Sequence, residues 1–96
     1  MRHKWLILIF IIFTQLTAQD VDKYLSLVRA GRTGEVRNIL PALLSKYPNN
    51  PGVLFLKALT TVDGESAVQQ YRSLAEQFPD SPYTDDAVMK VGEYLY

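Results

Sequence analysis

The sequence predicts an all-α protein in which five helices form antiparallel hairpins behind an N-terminal segment outside the fold. Two observations carry this. Apolar residues recur at helical spacing in five stretches. A turn phrase, aromatic-Pro-Asn/Asp-polar-Pro, occurs as "YPNNP" at 47–51 and again 31 residues later as "FPDSP" at 78–82. The apolar pattern shares that offset: Val36 falls on Ala67, Leu40 on Tyr71, Leu43 on Leu74 and Leu44 on Ala75. Self-similarity at a period of 20 to 50 residues is the mark of a repeat architecture.

Residues 1–18 read as a secretory signal. A basic head, "MRHK", precedes nine apolar residues, "WLILIFIIF", and then the polar "TQLTAQD" with small Ala18 as the last residue before the cut. An uncleaved anchor is the alternative, although the run falls short of the ~20 residues that span a bilayer. The helical domain is then 19–96. Of the 96 residues, 78 remain, with eight basic against ten acidic side chains and a net charge of −2. That balance offers no basic face for nucleic acid and no polybasic patch for a membrane surface. The chain has no cysteine. Its stability rests on packing without disulfides, and no cysteine stands at the cut to carry a lipid, so the expectation is a protein that is exported but is not a lipoprotein.

The first helix follows Val21, Tyr24, Leu25 and Val28 and stops at Ala30-Gly31. The second follows Val36, Ile39, Leu40, Leu43, Leu44 and Tyr47. Pro41 lies inside it, so either one kinked helix crosses it or a turn at 34–40 is followed by a fresh helix from Pro41. The unbroken phase of the stripe favours the kinked helix. The third, with Val53, Leu54, Leu56, Ala58 and Leu59, is apolar nearly all round and is expected to be the most buried; it ends near Asp63-Gly64. The fourth follows Ala67, Val68, Tyr71, Leu74, Ala75 and Phe78, and the fifth opens at Pro82 with Ala87, Val88, Val91 and Leu95. In each turn phrase the aromatic closes one helix and the first Pro forbids its continuation. Asn50 or Ser81 caps the next, and the second Pro takes its first position. Such short turns make neighbouring helices antiparallel.

The chemistry of catalysis is sparse here. His3, the only histidine, lies in the signal, and without cysteine the soft-metal and Cys/His mechanisms have no residues. Asp85 and Asp86 sit in the first turn of the fifth helix, where they complement its dipole. Asp63-Gly64-Glu65 reads as a cap and turn rather than a calcium loop. No Gly-rich phosphate loop or Gly-x-Ser-x-Gly turn occurs. The expectation is a protein that is not an enzyme and uses no cofactor or metal.

Ala67, Tyr71, Leu74 and Pro79, and less closely Val36, Leu40, Leu43 and Pro48, resemble the second half of a tetratricopeptide repeat. Gly31 matches the glycine between the helices of such a repeat. "VMKVGEYL" at 88–95 looks like the opening of another, with Gly92 where its two helices press together. The segment "QFPDSPYTDDAVMKVGEYLY" is similar to repeats of bacterial cell-envelope proteins such as the Tol-Pal coordinator and outer-membrane assembly subunits. The resemblance implies a TPR-like α-solenoid of two repeats and the first helix of a third, periplasmic or envelope-associated, binding a protein or peptide on its concave face. The Trp and Gly usual in the first helix are absent from the two earlier units.

Tyr24, Tyr47, Tyr71 and Phe78 lie on apolar stripes and read as core. Tyr83, Tyr94 and Tyr96 gather at the last helix. With Val88, Val91 and Leu95, which no following helix covers, they form a candidate partner-binding surface or a packing face for a missing repeat. The expected function is a non-catalytic interaction scaffold of the envelope, with self-association through the last helix as a possible use of that face. The alternative is a helical spacer, or the N-terminal part of a longer envelope protein that carries a peptidoglycan-binding domain.

Overall fold

The computed structural model describes residues 18–95, all helices and turns. The signal expected at the N-terminus lies outside these residues except for Ala18. The helices are α1 (Ala18–Arg29), α2 (Thr33–Lys46), α3 (Pro51–Leu59), α4 (Gly64–Gln77) and α5 (Thr84–Leu95). Among the described residues no helix is long and apolar enough to cross a membrane.

The repeat is written into the backbone. Helices α2 and α4 are each 14 residues long and start 31 residues apart. Their closing aromatics adopt almost one conformation: Tyr47 has φ −130° and ψ 63°, Phe78 has φ −132° and ψ 64°. Each donates its backbone N–H to a leucine carbonyl four residues back, Leu43 and Leu74. Leu25, Leu56 and Ala87, spaced by the same 31 residues, are all buried.

Contacts across the helices give their directions. Arg37, early in α2, donates from Nε to the carbonyl of Thr60 beyond the end of α3 at 3.0 Å, so these helices run antiparallel. The Tyr94 ring, late in α5, lies over Gly64 at the start of α4, so that pair is antiparallel too. Gly52 at the start of α3 faces Val21 near the start of α1, with Tyr83 from the turn before α5 beside it. Helices α1, α3 and α5 are therefore parallel to one another. Each helix packs on the next in sequence, and α1 also packs on α3; α5 lies along α4 and has no comparable helix contact with α3.

As expected, α3 is the most buried helix: Gly52, Val53, Phe55, Leu56 and Ala58 are buried. Burying a side chain such as Leu56 or Val53 contributes roughly 1.5–3 kcal/mol. Phe55 lies between two rings, with Tyr71 of α4 at 5.9 Å and 54°, and Tyr83 stacked at 5.7 Å and 27°. Helix α1 ends in a Schellman arrangement. Gly31 takes φ 82°, its N–H reaches the Val28 carbonyl and the Arg32 N–H reaches that of Leu27.

Two turn phrases that look alike perform differently. Asn50 caps α3 as expected, its side chain accepting from Gly52 and Val53 N–H at 2.9 and 3.2 Å, with Pro51 in the first turn. The second phrase does not open α5 at Pro82. The Ser81 hydroxyl accepts from the Tyr83 N–H, its carbonyl accepts from Thr84, and the Thr84 hydroxyl reaches back to the Phe78 carbonyl. These bonds hold 81–83 as a turn and delay the helix to Thr84. The delay lets Tyr83 fold inward onto Phe55.

Pro41 lies within a continuous α2, and no turn breaks the helix at 34–40. The proline and Arg37, whose carbonyl it deprives of a donor, are both exposed. Water can reach that carbonyl, which limits the cost. Gly92 does not mark a close approach, because a side chain there would meet nothing within 4 Å. The glycines under pressure are Gly52 and Gly64: a β-carbon would come within 2.8 Å of Val21 Cγ2 at the first and 2.5 Å of the Tyr94 ring at the second.

Two outcomes follow for urea denaturation. Asn50→Ala removes a two-bond cap and lowers stability by about 1 kcal/mol. Pro41→Ala restores a helical N–H at an exposed site and raises stability, by up to ~3 kcal/mol if the full helix-interior penalty is recovered.

Candidate functional site

Because α1 and α3 pack directly while α5 leans on α4, a groove is left above α3, between α1 and α5. It encloses about 300 Å³. Phe55 and Leu59 of α3 line its floor, and α1 contributes Leu25, Val28 and Arg29. The facing wall is α5, with Asp86, Met89, Lys90 and Glu93 at helical spacing along one face. Met89 is 62% exposed, an adaptable apolar side chain beside an apolar floor.

The charges are ordered along the groove. Since α1, α3 and α5 are parallel, Asp86 lies toward their N-terminal ends, and Arg29, Lys90 and Glu93 toward their C-terminal ends. Lys90 Nζ stands 3.4 Å from Glu93 Oε2, so that pair largely satisfies itself. Arg29 and Asp86 have no ion-pair partner among the described residues.

The surface singled out from sequence is divided by the fold. Tyr83 is turned inward: it is packed against the core and stacked on Phe55. Its phenol is pushed above its ordinary pKa, first by burial and then by the Asp22 carboxylate. Tyr94 lies at the opposite end of α5, over Gly64, and is 56% exposed. Val88 and Leu95 are open to solvent at 57% and 51%, whereas Val91 is half-buried against the core. Tyr96 lies outside the described residues. Val88 and Val91 do meet Tyr71 and Ala75 of α4 around a second hollow of about 250 Å³, on the side of α5 that faces away from the groove.

In the sequence Leu25, Val28 and Leu59 lie on apolar stripes and Asp86 stands as a dipole partner. Their spacing does not bring them together, because only the packing of three helices does so. Phe55, Met89 and Arg29 were not singled out. The available signal was the all-round apolar character of α3, which a single neighbouring helix cannot cover. Asp63 caps α4, accepting from the Ser66 N–H at 3.2 Å, as its cap-and-turn reading requires.

The Tyr71 phenol is pushed up to about 12, mainly by burial and secondarily by the Glu93 carboxylate. Its unfolded value is near 10. The phenol is neutral in both states below pH 10, so its contribution to stability is complete there. Stability is lost as pH rises from 10 through 12, where the unfolded chain ionises first. Tyr71→Phe flattens the fall in urea midpoint over that interval and leaves the midpoint at pH 7 nearly unchanged. Comparison of the chain with protein-family models, curated proteins and solved structures finds no match.

Proposed function

We propose that this protein is a non-catalytic interaction scaffold of the tetratricopeptide type, exported to the bacterial cell envelope, and that the groove between α1, α3 and α5 holds a segment of a partner protein. One observation carries the reading. The groove is a concavity of about 300 Å³ with an apolar floor and a charged rim, and its size lies at the lower end of the range for binding clefts. An apolar floor gives adhesion without direction, and rim charges set register and select the partner. The 31-residue repeat, the two matching helix closures and the parallel set α1, α3 and α5 agree with a repeat scaffold whose odd-numbered helices line the concave side. The basic head and apolar run at residues 1–18 support export.

The reading is tested by site-specific photocrosslinking in intact cells. A photoreactive side chain at Met89, on the groove wall, gives a discrete adduct with another protein. The same group at Val62, which is 84% exposed in the α3–α4 turn and away from the groove, does not. Equal adducts at both positions, or none at Met89, would count against the groove.

A further inference from the structure

We infer that the occupant of the groove is a short amphipathic helix of the partner, lying antiparallel to α1, α3 and α5, with an acidic residue in its first turn against Arg29 and a basic residue in its last turn against Asp86. This rests on the groove being a protein-binding site.

The length of the site comes first. The α5 wall runs from Asp86 to Glu93, two helical turns or about 10 Å. The apolar floor along that length suits a ligand presenting anchors at i, i+3 or i+4, and i+7 on one helical face. The volume of about 300 Å³ holds a few large apolar side chains rather than a folded domain.

The direction comes from the charges. With Lys90 and Glu93 paired to each other, the groove presents Asp86 toward one end and Arg29 toward the other, neither with an ion-pair partner among the described residues. The C-terminal ends of three parallel helices gather at the Arg29 end and carry partial negative charge. A bound helix places its positive N-terminal end there when it runs antiparallel. An acid in its first turn and a base in its last also suit that helix's own dipole. Rim pairing, dipole packing and the ligand's own stability therefore favour one orientation. In the parallel orientation, any ligand that satisfies the rim charges must oppose both dipole effects.

The test uses the full chain and three synthetic peptides of about three helical turns, so that first-turn and last-turn charges stand about two turns apart. The first has Glu in its first turn, Leu at i, i+4 and i+7, and Lys in its last turn. The second exchanges the Glu and Lys positions. The third is the first with a central proline. Affinity is read by fluorescence anisotropy and location by the NMR shift of the Met89 methyl. The first peptide is expected to bind about tenfold more tightly than the second, because two rim pairs change from attraction to repulsion. The proline peptide loses binding, and the double variant R29E/D86K reverses the preference. Equal affinities for the first two peptides, both moving Met89, overturn the inferred orientation and leave the groove reading intact. Undiminished binding of the proline peptide overturns the helical form of the ligand. If no peptide moves Met89, the inference and the groove reading fall together. Arg29 and Asp86 are exposed, and the peptide comparison on the unaltered chain decides the question even if the double variant folds poorly.

Discussion

The structure depends on Phe55 being held between Tyr71 and Tyr83. Those two ring contacts tie α3, α4 and the approach to α5 at one point. The two ring pairs lie at centroid distances of 5.9 and 5.7 Å, and each such pair contributes roughly 0.5–1.5 kcal/mol beyond the area it buries. Without disulfides, a domain of this size has little stability to spare. Phe55 also lines the floor of the groove, so one ring both closes the core and forms the base of the candidate site.

That sandwich explains why the two turn phrases diverge. Asn50 starts α3 at once, and its two capping bonds leave no slack. The bonds made by Ser81 and Thr84 postpone α5 to Thr84, which brings Tyr83 onto Phe55. Tyr83 then occupies space beside Gly52, where any larger residue would collide with Val21.

The helices were legible because their spacing and punctuation are local. Gly31, Asn50, Asp63 and the aromatics at 47 and 78 act within a turn of their own positions, and a single sequence displays them. The start of α5 was misplaced because Ser81 and Asn50 are similar as residue types but differ in the backbone they bond. Gly92 misled for a related reason: a close approach belongs to the pair of surfaces, and those surfaces meet at Gly52 and Gly64. The groove was not legible because Arg29, Phe55 and Met89 are far apart in the chain. It exists only where α5 departs from the path of α1 and α3.

That departure has a source in side-chain volume. Leu25, Leu56 and Ala87 hold one repeat position, and the last has shrunk to a methyl group yet is fully buried. So short a side chain is covered only if neighbouring backbone comes close, and α5 is drawn against α4. The array therefore differs from one unit to the next rather than forming a rod of constant gauge. A rod would offer the same furrow at each step, none distinguished from the next. Here the shift from leucine to alanine coincides with the groove between α1, α3 and α5, so the least faithful copy in the repeat stands where the array departs from uniformity.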